Sequence, residues 1–175
     1  ARRLRQTLLA CGVVASVPPP AAARGRVLIW SIQATGSAEA PMLREQLYHS
    51  LAGGLAAAGL AVVPRQEIGP RLAAAPGLVG CETSPCLKRV AELLGVRRII
   101  RAQVEIFGSS YVYRLEYLGP AGKLRNRAEG HCDVCTVAEV NEQVSQLAVR
   151  LARAKETAPP PEPAPARAGG ETPAA

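Results

Sequence analysis

The chain of 175 residues contains one Phe, one Trp, one Met and four Tyr, and aromatics make up 3% of it. A sheet that binds nucleic acid by stacking needs interleaved aromatics. That supply is missing, so nucleic acid is not an expected partner. Asp occurs once, at Asp133, and no pair of acidic residues stands out for general acid–base chemistry. There is no Gly-x-Ser-x-Gly elbow, no phosphate-binding loop and no metalloprotease helix. His49 and His131 read as polar surface residues. His131, Asp133 and Cys135 are close in sequence, but adjacent residues of a strand point to opposite faces, and no activated nucleophile emerges. The expectation is a protein that is not an enzyme and needs no cofactor or metal.

Long apolar runs are also absent. Thr7 to Val17 is an apolar stretch of 11 residues behind the basic start Arg2, Arg3 and Arg5. At about 1.5 Å per residue it spans roughly half of a bilayer's hydrocarbon core, too little for a transmembrane helix. Pro18 to Pro20 break the stretch, and Ala21-Ala22-Ala23 offers small residues to a signal peptidase. Residues 1–23 therefore read as a signal peptide and the protein as exported, periplasmic or secreted. Leu8-Leu9-Ala10-Cys11 also reads as a lipobox, and lipidation at Cys11 is the alternative to cleavage after Ala23. The formal charge of +7 shrinks without the leader to 18 basic against 14 acidic residues, a balance of +4. That is compatible with anionic partners and does not demand them. Residues 156–175 are mostly Pro, Ala, Gly and Glu without apolar periodicity, and the expectation is a disordered spacer.

What remains, residues 24–155, is long enough for one core. The order read along it is β-α-β-α-β-β-β-α: a single small α+β domain with a mixed sheet and helices on one face. Val27 to Ile32 is a continuous apolar strand, expected to be central and covered on both sides. Leu43, Leu47, Leu51 and Leu55 mark a helix over Pro41 to Ala58, and Leu60 to Val63 a short strand. Residues 66–80 are ambiguous, with an irregular helix around Ile68 to Ala75. Ser84-Pro85 starts a helix that Gly95 ends. Three alternating stretches from Ile100 to Glu129, separated by Gly108-Ser109-Ser110 and Gly119-Pro120-Ala121-Gly122, read as an antiparallel meander with one apolar and one charged face. Thr136 with Glu139 forms a capping box for a last helix that buries Val140, Val144, Leu147, Leu151 and Ala154.

Four cysteines lie in this domain: Cys81 and Cys86, Cys132 and Cys135. An even set in an exported chain reads first as a disulfide framework. A long-range pair such as Cys81 with Cys132 would add about 4 kcal/mol by chain entropy, and each local pair about 2 kcal/mol. Proximity beside two helix starts favours local pairing, and Cys81–Cys86 with Cys132–Cys135 is the expected connectivity. Zinc held by four thiolates is disfavoured by an oxidising compartment. A redox-active Cys132-x-x-Cys135 ahead of a helix is the other reading, making the protein a periplasmic thiol–disulfide oxidoreductase. A third reading is an anionic-ligand patch of Arg101, Arg114, Arg125 and Arg127 on the charged face of the meander. Glu105, Glu116 and Glu129 share that face, so cross-strand pairing competes with it.

Cys81-x4-Cys86-Leu87, then Ala91-Glu92-Leu93-Leu94-Gly95-Val96, then strands ending at Cys132-x2-Cys135, resembles a group of bacterial cell-envelope domains. The resemblance covers about Arg26 to Arg153 and is to the TolB N-terminal domain and the CsgG/FlgO group, in which such a domain often precedes PEGA or repeat domains. It implies an anticodon-binding-like α/β fold and an accessory, protein-binding role with an envelope protein as partner. No propeller or barrel-forming segment is visible, so TolB or secretion-channel activity is not implied.

Overall fold

The computed structural model describes residues 25–37 and 40–154. The expected signal peptide of residues 1–23, with Cys11, and the expected spacer of residues 156–175 lie outside them. A five-stranded sheet of order β2-β1-β3-β4-β5 is formed by β1 (Arg26–Thr35), β2 (Ala61–Val62), β3 (Arg98–Phe107), β4 (Ser110–Leu118) and β5 (Leu124–Cys132). β2, β1 and β3 run parallel, while β3, β4 and β5 form an antiparallel meander, so the sheet is mixed. The helices are α1 (Ala40–Ala57), α2 (Arg65–Ala73), α3 (Ser84–Leu94) and α4 (Val137–Arg153).

Two apolar clusters sit on opposite sides of the sheet, as alternating strand residues require. Val27 and Ile29 of β1 join Ile100, Ala102 and Val104 of β3 and Tyr113 and Leu115 of β4 under α1 and α4. Leu28, Ile99 and Leu118 belong to the smaller cluster, closed by Leu87, Val90 and Leu94 of α3. β1 is thus apolar on both sides because helices cover both of its sides. Across most of the meander only the α1–α4 side is covered, and the charged side stays open.

Local chemistry explains the ends of the elements. Thr136 accepts from the Glu139 N–H while the Glu139 carboxylate accepts from the Thr136 N–H at 2.8 Å, which closes the first turn of α4. Pro85 sits in the first turn of α3, and Gly95 ends that helix at φ 63°. The ambiguous stretch resolves into α2, which holds Pro70 and buries none of its residues, and a 3₁₀ turn at Pro76–Leu78. α1 and α4 touch closely at Gly54, where a Cβ would lie 3.1 Å from the Ala148 Cβ and closer still to the Ser145 carbonyl oxygen.

One irregularity shapes the site. The β1–β3 register shifts between Ile29 and Ser31, so Trp30 is an extra residue in β1. The bulge reverses the strand's alternation: Val27 and Ile29 face α1 before it, Ile32 and Ala34 after it. Trp30 packs against the smaller cluster and donates its Nε1–H to the Cys81 carbonyl at 2.7 Å.

Candidate functional site

The open side of the meander carries the arginines singled out from the sequence, and β-pairing places them beside acids. Arg101 faces Glu116 and Arg114 faces Glu129 across neighbouring strands, and Arg127 faces Glu116 from the other side. Arg101 donates to Glu116 at 2.7 Å and to Glu82 at 3.1 Å, Arg127 to Glu116 at 2.9 Å and Arg114 to Glu129 at 2.7 Å. Glu116, shared by two guanidiniums, is the one charged residue among the described ones that is buried. Arg125 stands apart. The β4–β5 register shifts beside it, and its side chain lies along Gly119 without a carboxylate partner among the described residues. Three of the four arginines are therefore ion-paired with glutamates, and Arg125 lies outside that network.

The cysteine sulfurs are at bonding distance in two local pairs, Cys81 with Cys86 and Cys132 with Cys135, with Cα separations of 5.8 and 5.9 Å. Both separations fall in the range a disulfide accepts. Cys81 and Cys86 pack in the α3 cluster, Cys132 and Cys135 in the α1–α4 cluster, so the sheet separates the pairs. No group of three His, Cys, Asp or Glu is arranged to hold a metal among the described residues. Behind Cys132 runs a short polar chain: the buried Tyr113 hydroxyl donates to Gln143 Oε1, and Gln143 Nε2 points at Cys132 Sγ from 3.1 Å. Burial raises the Tyr113 pKa, offset in part by Arg150. His49 and His131 are both exposed.

An open cleft of about 670 Å³ lies against β1 beyond the end of β2. Its walls include Trp30 and Ile32 of β1, Arg44 and Tyr48 of α1, and Arg65 and Ile68 of α2. Arg65 closes one side by pairing with Glu45 at 2.6 Å and stacking on Tyr48. The carboxyls with depressed pKa lie elsewhere and have structural causes: the Arg26 hydrogen bond for Glu67, and the Thr136 hydrogen bonds for Glu139.

The sequence reading missed a segregation of apolar surface. Five large apolar side chains are exposed: Met42, Val79, Phe107, Val112 and Val134. Four of them belong to the end of the sheet where β1 and β3 finish and α1 and α4 begin, here called the distal end. Phe107 is 62% and Val134 82% exposed, and the Cys135 N–H to the Ser109 carbonyl, 3.0 Å, joins their loops. Val134 adopts φ 52°, a conformation costly for a β-branched residue. A signal existed for two of these residues. Phe107 and Val112 occupy positions of β3 and β4 that the alternation otherwise gives to Gln, Glu and Arg.

Neither a family model nor a curated protein sequence matches the chain. Solved structures do. The C-terminal domain of LpoB from Salmonella enterica matches with a TM-score of 0.50 at 14% identity, over 63% of this chain and 84% of that one. Lipoprotein GNA1162 from Neisseria meningitidis matches with a TM-score of 0.50 at 11% identity, over 74% and 96%. At such identities the likeness is one of fold.

Proposed function

We propose that this domain is a non-enzymatic accessory module of the bacterial envelope, exported by residues 1–23, closed by two local disulfides, and docked to an envelope protein through its distal end. The observation that carries the reading is the gathering of Phe107, Val112 and Val134 at that end. Scattered exposed apolar residues need no explanation, but a group of them held by two joined loops is the signature of an interface. Holding Val134 in a strained conformation with its side chain in water costs stability that its neighbours must supply. The fold shared with LpoB and with lipoprotein GNA1162 supports an envelope setting, as does the Cys-flanked Leu-Gly helix that resembles the TolB N-terminal and CsgG/FlgO domains.

A photo-crosslinking residue at position 107, in cells exporting the protein, is expected to give one discrete adduct that Val134→Asp abolishes. A probe at Gln103 on the open charged face should give none. Equal adducts from both positions, or none from position 107, would remove the docking assignment.

A second reading, thiol–disulfide exchange at Cys132 and Cys135, has the Gln143 amide in its favour. An external thiolate attacking the more exposed Cys135 sulfur would release the Cys132 thiolate onto that N–H. Insulin reduction by the purified protein that disappears in Cys135→Ser would support it, and no turnover above the buffer thiol would end it.

A further inference from the structure

The end opposite Phe107 and Val134 has a different composition. Arg97 and Arg98 lead into β3 where it pairs with the start of β1, and Lys123 and Arg125 flank the β4–β5 turn at the same level. Arg153 ends α4, whose last residues line a small cavity with Leu60, Arg98 and Tyr117. None of these five cations is ion-paired among the described residues, and all but Arg98 are exposed. Arg98 lies over the Tyr117 ring at 5.6 Å. The charged side of the meander shows the contrast, since Arg101, Arg114 and Arg127 are each paired with a glutamate, two of them sharing Glu116.

The chain also enters and leaves here. Gly25, Arg26 and Ala61 are paired at this end, and Ala154 lines the cavity that Leu60 shares. In the sequence the next residues outward are themselves cationic, Arg24 before Gly25 and Lys155 after Ala154. Eight residues upstream of Gly25 lies Val17, the end of the apolar stretch that begins at Thr7. Fully extended, that spacing reaches roughly 28 Å. Any lipid attachment at Cys11 and any upstream apolar segment would therefore leave the domain from its basic end.

We propose that this proximal end lies against an anionic lipid surface, with Arg97, Lys123, Arg125 and Arg153 facing the headgroups and the distal end directed away from the bilayer. One lipid chain or a short apolar segment gives only marginal membrane attachment, and a basic patch is the second element that makes it stable. A basic residue near such a surface contributes about 1 kcal/mol, close to a fivefold change in affinity. Both exits on the same end allow the patch to approach the bilayer without burying either connection. The inference does not depend on what docks at Phe107, because it concerns the opposite end.

The test uses the purified full chain, with vesicles of phosphatidylcholine alone and of phosphatidylcholine mixed with phosphatidylglycerol, read by co-sedimentation across a salt series. Apolar residues bind both kinds of vesicle alike, so the difference between them isolates charge, and its fall in the charge-reversal variants assigns that charge to this end rather than to Arg2, Arg3, Arg5 or Arg24. Expected are tighter binding to the anionic vesicles, a steep loss with salt, a roughly 30-fold loss for Arg97→Glu, whose charge changes by two, and loss of the anionic preference in Arg97→Glu/Lys123→Glu/Arg125→Glu. Arg44→Glu, an exposed cation on α1 far from this end, should leave the difference unchanged. Circular dichroism confirms that each variant folds. Equal binding to both vesicles, an Arg44→Glu effect as large as that of Arg97→Glu, or displacement from the vesicles by glycerol phosphate at constant ionic strength would each overturn the assignment.

Discussion

At the proximal end Arg97, Arg98, Lys123, Arg125 and Arg153 surround the entry and exit of the chain without paired carboxylates. At the distal end Phe107, Val112 and Val134 stand beside Glu105 and Asp133, both exposed. The same strands connect the two ends, and between them the open side of the sheet carries Arg101, Arg114 and Arg127, each matched by Glu116 or Glu129. Charge engaged inside a sheet sets register and orders side chains, while unmatched charge at one end is free to act on another body. A net positive balance becomes informative only after the internal pairs are subtracted.

Perturbing one end at a time sharpens this comparison. The largest effect is expected at Gly122, in the proximal β4–β5 turn at φ 68°, where a Cβ would lie 2.5 Å from the Ser84 carbonyl oxygen and 2.9 Å from the Leu87 Cβ. Gly122→Ala should lower stability by about 3 kcal/mol through strain and displacement of α3, measured by denaturant unfolding, with distal crosslinking retained in the folded fraction. Next come the staples. Each closes a short loop, so Cys132→Ser/Cys135→Ser and Cys81→Ser/Cys86→Ser should each cost about 2 kcal/mol. Only the first should loosen the distal loops in hydrogen exchange. A loss confined to the second would reverse the picture of Cys132–Cys135 as the distal brace.

Smaller still is Val134→Gly. It removes the left-handed strain of a β-branched residue and should raise stability by about 1 kcal/mol while weakening the distal adduct. A loss of stability would mean that the exposed side chain supports the fold. The mildest probe is pH. Glu139, held by the Thr136 N–H, and Glu67, held by Arg26, both titrate below the ordinary 4.5. Their contribution is complete above that value and is lost as pH falls through the depressed one. An acid titration followed by circular dichroism should show stability declining in that window, and less steeply in Glu139→Gln.

Much of the architecture was legible from residues alone. The capping box at Thr136 and Glu139, Pro85 and Gly95 around α3, and the alternation from Ile100 to Glu129 each carry a local physical signal. α2 did not, because it buries nothing and contains Pro70, so no apolar stripe marks it. The alternation put Arg101, Arg114 and Arg127 on one side correctly. The register decided that Glu116 would serve two of them, and the β4–β5 bulge moved Arg125 out of the group. The distal apolar group required the fold, since Val134 is far from Phe107 in sequence and its loop joins the β3–β4 hairpin only through the Cys135 N–H to the Ser109 carbonyl.

The extra residue at Trp30 sets how this protein can vary in length. Because β1 holds one residue more than β3 opposite it, losing Trp30 would restore simple alternation and leave Val27, Ile29, Ile32 and Ala34 on the α1 side, at the cost of the hydrogen bond to the Cys81 carbonyl. Loss of Ser31 as well would turn Gln33 toward α1 and α4, and Ile32 and Ala34 toward water. The middle of this strand can spare one codon and not two.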